Sequence, residues 1–217
     1  MTSPAPSTPG EPSHPPEGAG GGAGGISVRR LRPTDSLSEL TALLHRSYAK
    51  QVALGLHALA SHQTPEITRK RVGKGECFVA VLSEPAADAS GGADVPSATA
   101  CLPRERLVGT IMFQEPSWGG GGGAPESGPR WFRRHDVCNF SQFAVEPTLQ
   151  GRGIGALLLT TVEARARELG MAELALSTAE PDTELVAYYR RRGFRDVERF
   201  DWGITNYTSL IMSKAVR

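Results

Sequence analysis

Gln150, Gly151, Arg152, Gly153, Ile154 and Gly155 lie between a β-like run ending Phe143-Ala144-Val145-Glu146-Pro147 and an apolar helical pattern that starts at Ile154. Glycines at alternate positions leave backbone N–H groups unshielded by side chains. A helix start adds unpaired N–H donors and the positive end of the peptide dipole, and together these attract phosphate. Pyrophosphate is the ligand such a loop suits. The P-loop spacing, with four residues between its glycines and a following Gly-Lys-Ser/Thr, is absent. The dinucleotide fingerprint G-x-G-x-x-G is not met either, because this loop reads G-x-G-x-G and then Ala156. That fingerprint also opens a fold, whereas here a strand-rich half precedes the loop.

Metal and disulfide chemistry find little support. The three cysteines Cys77, Cys101 and Cys138 are widely spaced with no Cys-x-x-Cys pair, so neither a zinc site nor a disulfide frame is expected, and a reducing cytoplasm is the default setting. The chain has 217 residues and a net charge of +1, which suits one domain with appendages and argues against general nucleic-acid binding. No apolar run is long enough to span a membrane, and the N-terminus lacks the order of a signal peptide.

The elements that must position the loop can be read in chain order. Residues 1–25 are rich in Pro, Gly, Ser and Ala and are expected to form a disordered tail, ahead of one domain over 26–217. Ile26, Val28 and Leu31 alternate as a strand. Ser36 and Glu39 form a capping box ahead of Leu37, Leu40, Leu43, Leu44 and Tyr48 at helical spacing. Thr64 caps a second helix with Pro65 at its first position, running to about Val72. Strands are expected at Cys77–Leu82, Arg106–Phe113 and Val137–Val145, interrupted by flexible insertions near 84–100 and 118–130. A helix then runs from the loop to Gly170. It is followed by a strand at Leu174–Leu176, a helix from Pro181 to Arg192 and strands near Asp196–Trp202 and Thr208–Ser213. Arg190, Arg191 and Arg192 suit the negative end of that last helix; contact with phosphates is the alternative.

The pattern Gln-x-x-Gly-x-Gly after Phe-Ala-Val-Glu-Pro resembles the acetyl-CoA loop of the GNAT superfamily of N-acetyltransferases. A second segment, Ala187-Tyr188-Tyr189-Arg-Arg-Arg-Gly193-Phe194, is similar to the family's late A-x-x-Y-x-x-x-G-F segment, with Ala187 one residue closer. The element order is also the family's. The fold class implied is α+β (mixed α/β): a mixed, mostly antiparallel sheet of six to seven strands flanked by about four helices.

The resemblance implies acetyl-CoA as co-substrate, no metal, and transfer of acetyl to a primary amine by direct attack in a ternary complex. It assigns the pyrophosphate to Gln150, Gly151, Arg152, Gly153, Ile154, Gly155 and Ala156, and the acetyl carbonyl and pantetheine to the backbone of Phe143, Ala144 and Val145. Tyr189, four residues before Gly193, takes the place of the family's acid for the departing thiolate. Tyr188 is about 100° round the helix and is expected to face elsewhere. Asp182 stands where many members have an asparagine that helps hold the coenzyme.

The base is less defined. Many members carry a glutamate inside the fourth strand, and this chain has Asn139, Ser141 and Gln142 there. Ser141 and Gln142 are therefore expected to hold a relay water, with Asp136 or His135 as alternatives and Glu146 on the loop surface. On the acceptor side, His57, His62, Trp202, Asn206 and Tyr207 are the residues to inspect. The acceptor is a small-molecule or peptide amine, with no nucleic acid or membrane partner, and a homodimer is allowed. Sparse acidic charge near the first helices argues against a polycation. The competing reading is a non-catalytic acyl-CoA-binding regulatory module.

Overall fold

The computed structural model describes residues 25–84, 104–116 and 128–216. Residues 1–24 of the expected tail, residues 85–100 and 118–127 of the expected insertions, and Cys101 lie outside the described residues. The strands are β1 (Ile26–Arg30), β2 (Glu76–Glu84), β3 (Arg104–Gln114), β4 (Val137–Val145), β5 (Glu173–Ala179), β6 (Arg195–Phe200) and β7 (Ser209–Ala215). The α-helices are α1 (Leu37–Ala53), α2 (Pro65–Val72), α3 (Ile154–Glu168) and α4 (Thr183–Arg190). The strands form one sheet in the order β1-β2-β3-β4-β5-β7-β6, in which β4 and β5 are parallel and every other pair is antiparallel. This is the mixed, mostly antiparallel sheet with four helices that the resemblance implied. None of the described helices is long and apolar enough to cross a membrane.

The near-continuous apolar runs of β2 and β3 reflect burial on both faces. Phe78, Ala80, Val108, Ile111 and Phe113 meet Leu158, Leu159 and Val162 of α3 on one face. Cys77, Val79, Val81, Leu107 and Met112 meet Leu40 and Leu43 of α1 on the other. At Gly109 a side chain would press on Leu158 Cδ1 at 3.0 Å and on the Ala144 carbonyl oxygen at 3.2 Å, so glycine lets α3 lie close against the sheet.

Local signals set the helix ends. Ser36 Oγ accepts the Glu39 N–H at 3.2 Å and Thr64 Oγ1 accepts the Ile67 N–H at 3.3 Å. The last helix begins at Thr183, later than Pro181, because Asp182 is its N-cap and accepts the Leu185 N–H at 3.1 Å. β6 stops at Phe200, short of Trp202, because Asp201 accepts the Gly203 N–H at 2.8 Å and turns the chain.

Two irregularities of β4 create the opening on which the site depends. Pairing with β5 runs only from Val137↔Glu173 to Phe140↔Leu176, and beyond it the two strands have no shared ladder. On the other edge, Met112 pairs with Ser141 and Thr110 with Ala144, so Gln142 and Phe143 together oppose Ile111. This is a bulge, and Gln142 adopts φ 49°, in the left-handed region that side chains other than glycine seldom occupy.

Candidate active site

A cleft of about 1970 Å³ passes through the gap between β4 and β5. That is about twice the upper range of an ordinary small-molecule pocket. Asn139 to Val145, Leu176 to Ala179, the start of α3, most of α4 and Arg46 to Gln51 of α1 line it. Every residue expected at the coenzyme lies along it except Arg152, which is exposed at the tip of the loop.

At one end, Gly151 and Gly153 have φ 78° and 84°, and α3 starts directly after Gly153 with no side chain capping it. The first-turn N–H groups of α3 have no carbonyl behind them, and Gly153, Ile154, Gly155 and Ala156 line the cleft. A side chain at Gly155 would sit 3.1 Å from both Phe143 Cζ and the Tyr188 hydroxyl, so glycine allows both rings to reach the helix start. Gln150 Nε2 and Ser47 Oγ donate to the Val145 carbonyl at 3.2 and 3.0 Å, tying the loop and α1 to the end of β4. Between Ser141 and Val145 the edge of β4 that faces β5 keeps its backbone donors and acceptors unpaired by strand. This open edge and the phosphate-seeking loop fit a coenzyme with an amide-bearing arm and a pyrophosphate.

Tyr189 is buried in a ring cluster with Phe140, Phe143 and Phe194. Tyr188 does not face elsewhere. It packs edge-on against Tyr189 at 5.4 Å, lines the same cleft and carries Arg192 over its ring at 3.6 Å. One residue of helix turn separates the two side chains by only about 100°, and both residues line the cleft. Of the three arginines, Arg190 turns away to Asp196, while Arg191 and Arg192 line the cleft.

Burial holds the Tyr189 phenol well above its ordinary value and pushes Tyr48 up to about 12. Both therefore keep their protons in the fold at pH values where the free phenol would ionise. Between the ordinary value near 10 and the raised ones, the folded state binds more protons than the unfolded chain, so stability falls as pH rises. We expect a melting temperature that holds level up to about pH 10 and drops above it. Melts from pH 8 to pH 11.5 check this, and a flat profile to the upper limit would contradict the burial of the phenols.

Several expectations are corrected. Glu146 is not loop surface: it is 7% exposed and accepts from Arg46 at 2.7 and 3.1 Å. Asp136 is bound by Arg134 at 2.8 and 3.0 Å, which holds its carboxyl below the usual range. It precedes β4, at the opposite end from the bulge, and neither it nor His135 reaches the cleft. Asp182 lines the cleft, but both of its oxygens serve the fold, one as the cap of α4 and the other accepting from Gln51 Nε2 at 3.3 Å. Among the acceptor-side candidates, Trp202 and Tyr207 line the cleft. His57 and His62 are exposed outside it, and Asn206 instead ties its loop to the turn after α1 through the His57 N–H and the Gly55 carbonyl.

Two polar residues of the cleft escaped sequence reading. Tyr48 was legible only as an apolar position on α1. Arg71 sits in the basic last turn of α2, where Arg69, Lys70 and Arg71 look alike. Only the fold turns Arg71 inward.

The sequence model of the Acetyltransferase (GNAT) family matches residues 76–194, more than half of the chain. The chain belongs to the GNAT acetyltransferase family. Acetyl-CoA is the family's acetyl donor. A curated relative, an aminoglycoside N(6')-acetyltransferase type 1 from Stenotrophomonas maltophilia, is 35% identical over an alignment of 75 residues that covers 30% of this chain and 49% of the relative. The chain thus spans about half the length of that relative. Among solved structures, the ribosomal-protein-S18-alanine N-acetyltransferase from Escherichia coli has a TM-score of 0.54 at 15% identity, covering 88% of this chain and 94% of that one. A GNAT family acetyltransferase from Elizabethkingia anophelis with acetyl-CoA bound has a TM-score of 0.50 at 14% identity, covering 88% and 97%. At these identities the two structures share the GNAT fold with this chain.

Proposed function

We propose that this GNAT chain moves the acetyl group of acetyl-CoA to a primary amine by direct attack in a ternary complex. The observation that carries this reading is the opened edge of β4 beside a loop whose left-handed glycines present a helix start. Bound acetyl-CoA supplies an acyl group activated as a thioester, with a pyrophosphate to anchor it. Gln150 to Ala156 hold the pyrophosphate through backbone N–H groups, and Arg152 adds charge from the loop tip. Phe143, Ala144 and Val145 offer backbone donors and acceptors to the arm and to the acetyl carbonyl. Asp182 supports this side by fixing the start of α4. The relatives' acceptors by name, an aminoglycoside and an alanine of a ribosomal protein, both present amines.

The amine must be neutral to attack, and at pH 7 an alkylammonium with a pKa of about 10.4 costs about 4.6 kcal/mol to deprotonate. No carboxylate in the bulge is poised to take that proton. Ser141, half-buried beside the bulge, holds the water that receives it. Gln142 contributes a donor to this relay and no acceptor, because its carbonyl oxygen already takes Gln63 Nε2 at 2.9 Å. Tyr189 Oη holds the proton that the departing sulfur takes up, and its raised pKa keeps that proton in place across the working range. The two buried free thiols, Cys77 and Cys138, suit a reducing cytoplasm.

Melting curves with acetyl-CoA, NADH and ATP test the reading. At 100 times its Kd a ligand stabilises by about 2.7 kcal/mol, which for this size is a rise of roughly 5–10 °C. A rise with acetyl-CoA alone, followed by amine-dependent thiol release, is the expected result. No rise in a folded, coenzyme-free protein would sink the reading. Binding without thiol release from any amine would favour the non-catalytic module.

A further inference from the structure

The side of the cleft away from the glycine loop contains a cation with no anion. Arg71 comes from α2, on the sheet face opposite α3, and lines the cleft. No carboxylate lies within ion-pair distance of it among the described residues. Among the described residues its one side-chain hydrogen bond runs from Nη1 to Gln63 Oε1 at 2.7 Å. Burial lowers its pKa, and Tyr48 is near enough to offset part of that.

The same contact orients a second donor. A guanidinium can only donate, so the Gln63 amide must turn its oxygen to Arg71 and its nitrogen the other way. That nitrogen donates to Thr68 Oγ1 at 2.7 Å and to Gln142 Oε1 at 2.9 Å. Gln142 must therefore present its oxygen to Gln63, which leaves its own Nε2 buried without an acceptor, on a residue only 5% exposed. Arg71 and Gln142 are thus held at the two ends of one amide, each with donors to spare. Buried donors without partners are costly, and a site that keeps them is built for an acceptor that arrives with the ligand.

The carboxylates that line the cleft are already engaged among the described residues. Glu184 pairs with Lys50 and Glu115 lies 3.9 Å from Arg165, while Asp182 caps α4. A polycation would find no free anion here. The coenzyme's pyrophosphate, assigned to the loop at the start of α3, is not placed to answer Arg71.

We propose that the acceptor is an amine that also carries a carboxylate, an amino acid in the broad sense, and that Arg71 and Gln142 Nε2 bind that carboxylate. The inference rests on the acetyltransferase reading above and adds the substrate class. The carboxylate makes charge-assisted bonds to the guanidinium, and Gln142, at the bulge next to Ser141, keeps the attached amine close to the relay.

The test measures thiol release from acetyl-CoA with matched pairs, each common amino acid against its carboxamide, together with a diamine and an aminoglycoside. For the wild type we expect at least one amino acid to exceed its carboxamide by roughly 100-fold in kcat/KM, the scale of a lost buried charge partner. In Arg71→Gln that ratio should collapse to within about threefold, with the acetyl-CoA melting shift retained as proof of folding. If Arg71→Gln does not fold, the wild-type ratio decides alone. Carboxamides equal to or better than the acids, the diamine or aminoglycoside as best substrate, or no amino acid acetylated by a protein that binds acetyl-CoA would each overturn the carboxylate assignment. Loss of the acetyl-CoA shift in the wild type would overturn the underlying reading instead.

Discussion

Tyr189→Phe is expected to lower kcat/KM by about 10²- to 10³-fold while leaving the fold and acetyl-CoA binding in place. The ring sits among Phe140, Phe143 and Phe194, with centroids 6.1, 6.4 and 5.7 Å away, so phenylalanine fills the same space. The Tyr189 hydroxyl makes no hydrogen bond to a described residue, so its removal should change stability by less than about 1 kcal/mol. What is lost is the proton donor. Without it sulfur must depart as thiolate, and general acid assistance is commonly worth this range. Tyr188→Phe is the control. Its hydroxyl lies against Gly155 at the loop, so its loss should raise KM for acetyl-CoA with little change in kcat. Thiol release with saturating amine measures both variants. If Tyr189→Phe stays within threefold of wild type and Tyr188→Phe collapses, the acid is Tyr188.

Gly153→Asp is expected to weaken acetyl-CoA binding by at least about 100-fold and to abolish the melting shift. Gly153 has φ 84° at the start of α3, with open space around the position where a side chain would begin. A carboxylate there faces the N–H groups that the pyrophosphate requires, and repels it. For the free protein the effects oppose one another. Left-handed strain costs about 1–2 kcal/mol, and a negative charge at a helix start returns about half of it. The uncomplexed melting temperature should fall by only a few degrees. Gly153→Ala carries the strain without the charge and should keep most of the binding. An unchanged acetyl-CoA shift in Gly153→Asp would place the pyrophosphate elsewhere.

Several features were legible because their causes are local. Ser36 with Glu39, and Thr64 with Pro65, mark helix starts within four residues. The alternate glycines of the loop need no tertiary partner to present their N–H groups. The order of strands and helices follows from apolar periodicity, and with two short motifs it identifies the family's fold. Glu146 shows the opposite case. Before a proline at a strand end it reads as surface, yet Arg46, a hundred residues away, keeps it paired and buried. Asp136 and His135 read as bases at the strand's mouth, but they lie at the end of β4 remote from the bulge.

The sequence by itself determined the element order, the phosphate-seeking loop and the position of Tyr189 relative to Gly193, since each depends on near neighbours along the chain. Tertiary structure decided the rest. The parting of β4 from β5 after Phe140, the left-handed turn of Gln142, the shared burial of Tyr188 and Tyr189 and the inward turn of Arg71 all depend on contacts between distant segments. The amide of Gln63, 79 residues before Gln142, sets which way Gln142 faces, and with it which atom meets the acceptor. Hydrogen bonds at such separations leave no periodicity or spacing in the chain, and they become visible only when packing has brought the partners together.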